Sequence, residues 1–510
     1  MDEAGLAELA GIVGAGGAAL AIVAGRRVLL FAGFGLLAAA EALLAISIAG
    51  TDALDKAASP AAVGAGVGGL LVLAAAAAVF VRFPLLTVPA LVVAAPFRPP
   101  VDFDRDHRFF FAVAESGKLG RLIPLYAVLA ASALAFLYRA LRRPELAAPP
   151  RLIAVPVAAF LAFASVSLLW TRDIDAGSNL LAFFLLPFAA MVAVVARAEL
   201  AAWLPRALAA IAVGLASIFA AVGLYQQATK ELLFYEPALQ VANAYSPFFR
   251  VTSLFTDPSL YGRHVVLGFA VLLVLIWAGH IRLLYAAPLM ALLFAGLYFS
   301  YSQSSMAALF VVAAAVTIAA GDPLARRIVL VATAAAVLIA AGFVAVEARD
   351  KSISELTSGR WQRAELTVDV AREQPLVGVG LGAQPKVSRE LGAGRSAREA
   401  RFVSHTTPLT VAAELGLVGF ALYVLLLAAA ARMLLILRHA WPTLALALGA
   451  VLLALFTHAL AYSGFFEDPI TWLTLGIGAA YLAVPAPVQA RATAPAESSP
   501  IRGPQPVPTK

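Results

Sequence analysis

The fold is decided by a short polar stretch that runs straight into an apolar one: HTTPLTVAAELGLVGFALYVLLLAAAA, residues 405–431. From residue 408 onward this stretch carries one charged side chain, Glu414, and is long enough to cross a lipid bilayer as a helix. A titratable imidazole and a carboxylate are costly to place where a helix enters a membrane. His405 and Glu414 are therefore candidates for a functional role.

The composition extends this pattern to the whole chain. Of 510 residues, 62% are hydrophobic and 13% are charged, whereas a soluble protein carries about 25% charged residues. The apolar residues form blocks rather than the short alternating segments of a β-barrel. The absence of cysteine excludes disulfides and thiolate metal sites. The net charge of +7 fits arginines in cytoplasmic loops rather than a nucleic-acid-binding surface.

Membrane-spanning helices are predicted wherever an apolar block is long enough. The sequence predicts an all-α, polytopic transmembrane bundle of about 12–15 spans. The predicted spans are 7–24, 28–49, 61–81, 84–97, 122–140, 152–170, 178–196, 203–225, 263–279, 282–300, 305–320, 328–347, 408–431, 442–463 and 469–485.

Arginines predict the orientation of these spans. They recur in every second connection, and the positive-inside rule assigns those connections to the cytoplasm. The opposite, periplasmic side receives two long loops, 226–262 and 348–407, and the shorter connections 300–304 and 464–468. With fifteen spans, the N-terminus lies outside and the C-terminus inside.

The chain divides into three parts. Residues 1–83 are predicted to form additional N-terminal transmembrane helices, residues 84–485 the main membrane domain, and residues 486–510 a disordered cytoplasmic tail. Long loops in membrane proteins are often functional. In the longer of the two periplasmic loops, the stretch from Arg360 to Asp369 has helical spacing of its apolar residues, so short helices are expected there.

Each long loop presents an arginine close to the membrane surface, Arg250 in one and Arg360 in the other. A guanidinium group forks two parallel hydrogen bonds to phosphate and stays charged, so a lipid-linked pyrophosphate is a fitting ligand. A structural alternative stays open for each candidate. Interfacial arginines snorkel to lipid headgroups, and Glu414 can bind backbone amides at a helix start. The glycines at 378, 380 and 382 are typical of a turn.

The order of these pieces resembles the bacterial O-antigen ligase and O-antigen polymerase superfamily of membrane glycosyltransferases. The resemblance covers roughly residues 84–485 and rests on a set of short motifs. These are Arg250 with Asp257-Pro258, Gly359-Arg360, Pro375-Leu376-Val377-Gly378-Val379-Gly380, His405, and Leu409 with Glu414-Leu415-Gly416-Leu417-Val418-Gly419. The chain departs from the family pattern at Thr406, where the family usually has asparagine.

The resemblance implies inverting transfer of a glycan from a polyprenyl-pyrophosphate donor to an acceptor hydroxyl on a glycolipid or glycan. It implies His405 as general base and Arg250 and Arg360 as stabilisers of the leaving pyrophosphate. Weaker candidates for substrate binding are Arg263, Arg363, Gln303 and Glu414. The nine-residue spacing puts Glu414 and His405 on opposite helix faces, which favours a structural role for Glu414. No cofactor or metal is implied.

Two alternatives remain beside an O-antigen ligase-like enzyme. One is a repeat-unit polymerase of O-antigen or exopolysaccharide in the same superfamily. The other, from a different class, is a lipid-glycan transporter or flippase, which would show internal repeats and charges at the membrane midplane. The expected location is the bacterial inner membrane, with the active site facing the periplasm.

Overall fold

The protein is helical throughout the part of the chain that can be described. The computed structural model describes residues 2–50, 60–98, 122–142, 146–234, 237–347, 359–392, 404–462 and 464–484, and no strand occurs in these ranges. The tail at 486–510 and part of the loop 348–407 lie outside the described residues.

Nineteen α-helices run through the described ranges. They are α1 Glu3–Val23, α2 Arg27–Ala49, α3 Pro60–Arg82, α4 Thr87–Ala94, α5 Ile123–Arg142, α6 Arg151–Val166, α7 Ile174–Leu180, α8 Leu186–Val195, α9 Leu204–Thr229, α10 Pro237–Tyr245, α11 Pro258–Trp277, α12 Leu283–Tyr298, α13 Gln303–Ala320, α14 Pro323–Glu347, α15 Arg360–Glu373, α16 Gln384–Leu391, α17 Thr407–Ala440, α18 Pro442–Ala459 and α19 Pro469–Ala483.

Most of these helices are of membrane-spanning length. When α-helices are joined with the 3-10 or π-helical turns that continue them, 12 helices within the described residues are long and apolar enough to cross a bilayer, and three shorter apolar helices occur at Pro84–Ala94, Leu283–Tyr298 and Pro469–Ala483. Each of the fifteen predicted spans corresponds to one of them. The predicted all-α, multi-pass architecture is confirmed.

Several helix boundaries differ from the predicted spans. Helix α17 continues to Ala440, beyond the predicted end at 431, because Arg432 and Arg438 end the apolar run without ending the helix. The span predicted at 178–196 begins earlier, at Ile174, and contains a π-helical turn over Leu181–Leu185 between α7 and α8.

The core of the bundle is formed by α11, α13 and α18, which pack against one another. Helix α11 is the most enclosed of the three, since 72% of the residues in its apolar 18-residue stretch are buried. Helix α17 packs on α6 and α18, and α15 lies across α17. By contrast, apolar side chains such as Leu284 and Leu338 are largely exposed on the outside of the bundle. Such surfaces are stable in contact with lipid chains.

Candidate functional site

One polar cavity lies at the end of the bundle where α11, α13 and α17 begin. Its volume is about 340 Å³. The cavity is lined by Phe248, Arg250, Asp257, Ser259, Tyr301, Ser302, Gln303, Ser304, Arg360, His405, Ala461 and Tyr462. The three residues named from sequence as catalytic candidates, Arg250, Arg360 and His405, therefore line the same cavity, although 155 positions separate Arg250 from His405 in the chain.

The lining residues come from connections that the arginine pattern assigns to one side of the membrane. Residues 248–259 belong to the first long loop, residues 301 and 302 to the α12–α13 connection, residues 303 and 304 to the first turn of α13, and residues 360 and 405 to the second long loop. Residues 461 and 462 follow α18. This convergence agrees with the predicted alternation of the spans, because odd and even connections of a bundle lie at opposite ends.

Arg250 is held in place by its own backbone and by its side chain. Its backbone N–H donates to Asn243 Oδ1 at 3.0 Å, and Asn243 Nδ2 donates to the Arg250 carbonyl at 3.1 Å. The guanidinium Nε donates to the Ser300 carbonyl at 3.3 Å. Burial lowers the pKa of Arg250, and the nearby carboxylate of Asp257 acts in the opposite direction. The side chain is thus oriented before any ligand arrives.

The turn after Arg250 is fixed by Gln226, at the end of α9. The Gln226 side chain accepts from the N–H groups of Thr252 and Ser253 at 3.0 and 2.7 Å, and it donates to the Ser253 carbonyl at 3.0 Å. Ser253 has a φ of 54°, a conformation that costs a non-glycine residue energy. These bonds hold the strained turn that delivers Asp257 to the cavity.

Helix N-caps supply part of the polar wall. Asp257 caps α11 by accepting from Ser259 N at 2.7 Å and from Leu260 N at 2.9 Å. Ser302 caps α13 by accepting from Ser305 N at 3.3 Å. Both capping residues also line the cavity, so the same side chains that start the helices shape the site.

A buried hydroxyl network lies behind the cavity. Ser302 Oγ lies 3.2 Å from Ser304 Oγ, and Ser304 Oγ lies 3.1 Å from His458 Nε2. The ring of His458 lies 5.3 Å from that of Tyr462, which in turn lies 6.0 Å from the ring of His405. His458, which is buried in α18, therefore has a hydroxyl partner at Nε2 and lies next to the cavity wall.

His405 sits in the turn before α17 and is half-buried. The turn is anchored by Ser404, whose N–H donates to Gln384 Oε1 at 3.1 Å, and by Thr406, whose hydroxyl donates to the Leu460 carbonyl at 3.2 Å. Burial, followed by the charges of Arg363 and Arg360, lowers the pKa of His405 to about 4. At neutral pH the imidazole is uncharged and able to accept a proton.

Arg360 is the first residue of α15 and follows Gly359, whose φ of 74° favours glycine. Leu366 and Val370 are buried against the bundle, as the helical spacing predicts. Because α15 rests on this apolar face, its N-terminus is directed at the cavity and carries Arg360 there.

The two glycine-containing motifs dock into each other. Helix α17 is broken at Gly416, which has a φ of 63° and a ψ of −165°. The segment 375–382 fills the break. Val379 N donates to the Ala413 carbonyl at 3.0 Å, and Leu417 N donates to the Pro375 carbonyl at 2.8 Å. The glycine run is therefore not an isolated turn, since it completes the backbone hydrogen bonding of a membrane helix.

The four weaker candidates for substrate binding do not all lie at the cavity. Gln303 lines the cavity, and Arg363 lies close enough to His405 to lower its pKa. Arg263 is instead buried in the bundle, where Nη2 lies 2.7 Å from Asp468 Oδ2. The Glu414 carboxylate accepts from Gln384 N at 3.3 Å. This backbone contact agrees with the structural role that its spacing from His405 favours.

Tyr462 is a cavity residue that sequence reasoning missed. It is hydrogen bonded to Asp257, and burial together with that carboxylate raises its pKa. The adjoining rings of Phe248 and Tyr301, 4.5 Å apart, were also not anticipated. Tyr462 lies at the end of the predicted span 442–463 and not in the connection 464–468, and a single tyrosine at the end of a span has no distinctive spacing.

Comparison with known proteins gives one matching family. The model of a family described as O-antigen ligase matches residues 288–424. No curated protein matches the chain. The matched segment includes Gln303, Arg360 and His405 of the cavity and the interlocked glycine motifs. The chain is thus a multi-pass membrane protein in which residues 288–424 are similar to the O-antigen ligase family.

Proposed function

We propose that this protein transfers a glycan from a polyprenyl-pyrophosphate carrier to an acceptor hydroxyl on a cell-surface glycolipid or glycan, at the periplasmic face of the bacterial inner membrane. The observation that carries the proposal is the meeting of Arg250, Arg360 and His405 in one cavity at the end of a membrane bundle. Of the two acceptor types, we propose that the protein is a ligase rather than a polymerase.

The charges of the cavity suit a pyrophosphate. Its lining includes two guanidinium groups, Arg250 and Arg360, against the single carboxylate of Asp257. As the bond between the sugar C1 and the pyrophosphate oxygen breaks, negative charge develops on the leaving group. Guanidinium groups that are already oriented stabilise this charge at little reorganisation cost.

We assign His405 as the group that takes the proton of the acceptor hydroxyl. In this scheme the imidazole accepts the proton while the hydroxyl oxygen forms a bond to C1 on the face opposite the pyrophosphate. The C1–O bond breaks, its electron pair leaves with the pyrophosphate, and the anomeric centre is inverted. The position of His405 in the same cavity as both arginines supports this assignment.

The uncharged state of the His405 imidazole also supports its assignment as the general base. The usual pKa of an imidazole is near 6.5, whereas burial and two arginines lower the pKa of His405 to about 4. The free enzyme would therefore hold the base form across the neutral range. A bound pyrophosphate would compensate the arginine charges and increase the basicity of His405 when the acceptor is present.

The test is an in vitro reaction. Purified protein in lipid vesicles is incubated with a polyprenyl-pyrophosphate glycan and one of two acceptors. The acceptors are lipid A core and a second lipid-linked glycan. The products are identified by mass spectrometry. Transfer to one acceptor supports the proposal and separates ligase from polymerase. Movement of the intact donor across the vesicle membrane without transfer would instead indicate a flippase.

The role of His405 is tested by substitution. The His405→Ala protein should accumulate normally in the membrane and lose transfer activity. Wild-type turnover in this variant would show that His405 is not the base.

A further inference from the structure

Two aromatic rings form part of the wall of the cavity that contains His405. Phe248 and Tyr301 both line this cavity, and their ring centroids lie 4.5 Å apart with 30° between the ring planes. The two rings pack on each other and present one apolar wall, the aromatic pair. The transfer step proposed above uses the arginines and the histidine of the cavity and assigns no role to the aromatic pair.

The aromatic pair is built on the same two segments that orient Arg250. Its first ring lies two positions before Arg250 in the chain. Its second ring, Tyr301, directly follows Ser300, whose carbonyl accepts from Arg250 Nε at 3.3 Å. A further bond joins the two segments, since Val251 N donates to the Phe299 carbonyl at 3.2 Å. The rings and the guanidinium are therefore held as one unit, and a group bound by Arg250 lies next to the aromatic pair.

The backbone of Tyr301 has a conformation that tyrosine rarely adopts. Its φ is 48°, in the left-handed region, which is unfavourable for a bulky side chain and favours glycine. The turn holds this conformation, because Tyr301 N donates to the Tyr298 carbonyl at 3.1 Å and Ser302 N donates to Ser300 Oγ at 3.1 Å. Backbone strain of this kind is found where a side chain is needed for function. The ring of Tyr301 is therefore a candidate for contact with a ligand.

The surroundings of the aromatic pair suit a sugar better than a polyprenyl chain. A pyranose has a face of C–H groups and a rim of hydroxyls, and an aromatic ring packs against the first. The hydroxyls need hydrogen-bonding partners, and the amide of Gln303, an exposed residue two positions after Tyr301, lines the same cavity. A polyprenyl chain has no hydrogen-bonding group and is equally stable among the lipid chains outside the protein.

We propose that Phe248 and Tyr301 form a subsite for the donor sugar that is bonded directly to the pyrophosphate. The inference rests on the proposed transferase function and adds to it the position of the reacting sugar. In that function Arg250 binds the pyrophosphate, and C1 of this sugar is bonded to a pyrophosphate oxygen. The first sugar of the donor therefore lies beside Arg250 and reaches the aromatic pair, whereas the acceptor is placed by its hydroxyl at His405.

The test compares the donor with a carrier that lacks sugar. Full-length protein in lipid vesicles is assayed with the lipid-linked glycan isolated from the source cell, and polyprenyl pyrophosphate alone is added as a competitive inhibitor. In Tyr301→Ala, KM for the donor should rise about 3–10-fold, which corresponds to the loss of one aromatic contact. The inhibition constant of the sugar-free carrier and KM for the acceptor should stay unchanged. The value of kcat should also stay unchanged, because the ring contacts the sugar equally before and during the reaction.

Three results would overturn the proposal. An equal rise in KM for the donor and in the inhibition constant of the sugar-free carrier would place the ring on the pyrophosphate or the polyprenyl chain. A rise confined to KM for the acceptor would assign the aromatic pair to the acceptor. Wild-type kinetics in both Tyr301→Ala and Phe248→Ala would show that the pair contacts neither substrate.

Matched variants separate binding from folding. Tyr301→Phe keeps the ring and should retain most of the affinity for the donor. Tyr301→Gly removes the ring but fits the left-handed backbone, so it should unfold at a higher temperature than Tyr301→Ala and still show the raised KM. Recovery of wild-type KM in Tyr301→Gly would show that only the turn matters. Tyr245→Ala removes an 88% exposed tyrosine of α10 that does not line the cavity, and it should keep wild-type kinetics.

Failure of the transferase function would look different, since wild-type protein would then give no product with any acceptor. The subsite is tested in that case by native mass spectrometry with the same lipid-linked glycan and with polyprenyl pyrophosphate alone. Tighter binding of the sugar-bearing form by wild type, and loss of this preference in Tyr301→Ala, would support the subsite independently. Equal binding of the two forms by wild type would refute it.

Discussion

Gly378 and Gly416 contact each other backbone to backbone, at the point where the segment 375–382 fills the break in helix α17. A Cβ added to Gly378 would lie 2.5 Å from Gly416 N, and a Cβ added to Gly416 would lie 2.5 Å from Gly378 N. Both residues have positive φ, 71° and 63°. The two glycine motifs are therefore a single structural unit, which fixes the turn before α17 relative to α15.

Gly378→Ala should destabilise this unit. The left-handed conformation costs an alanine roughly 1–2 kcal/mol, and the clash with the backbone of α17 adds to it. We expect a lower midpoint of thermal unfolding in detergent and a loss of activity, because Arg360 and His405 flank the unit. Gly214→Ala in α9 is the control, since its added Cβ meets no atom within 4 Å. It should be neutral or slightly stabilising, and equal midpoints for the two variants would contradict the docking argument.

Arg250→Lys and Arg360→Lys should each lower kcat by about 10²–10³-fold while the protein still accumulates in the membrane. A lysine keeps the charge but cannot form two parallel hydrogen bonds to phosphate. The measurement is initial transfer rate against donor concentration. Arg282→Lys, at the exposed start of α12, is the matched control and should retain wild-type kinetics. Full activity in both cavity variants would rule out the assigned roles.

The pH dependence of kcat/KM should reflect the lowered pKa of His405, because this constant reports groups of the free enzyme. The base form is required, and it predominates above the pKa of about 4. Activity should therefore be retained at pH 5–6 and fall only as the pH approaches about 4. Arg363→Gln removes a positive charge that lowers this pKa, so its acidic limb should move to higher pH. An acidic limb near the ordinary histidine value in the wild type would contradict the burial of His405.

Arg263→Ala should be among the most destabilising substitutions in the protein. Arg263 and Asp468 form an ion pair whose side chains are 3% and 0% exposed. Removing one partner of such a buried pair leaves an uncompensated charge and typically costs about 3–5 kcal/mol. Thermal unfolding in detergent and membrane accumulation are the readouts. Arg372→Ala removes an exposed partner of Asp369, 74% exposed, and should cost less than about 1 kcal/mol.

Much of the site was predictable because its residues belong to local patterns. The spacing of Leu366 and Val370 predicted α15, and the apolar block from residue 408 predicted α17. Arg250, Arg360 and His405 could be named since charged or titratable side chains stand out at the edges of apolar spans. Tyr462 could not, because its importance comes from its hydrogen bond to Asp257, which is far from it in the chain.

The sequence by itself determined which stretches form membrane-spanning helices, because hydropathy is a property of neighbouring residues. It also indicated which connections share one side of the membrane. Only the tertiary structure decided that Gly378 fits against Gly416, that Arg263 pairs with Asp468, and that Arg250, Arg360 and His405 line one cavity. These contacts join residues distant in the chain, and they exist only once the helices pack and exclude the alternative partners.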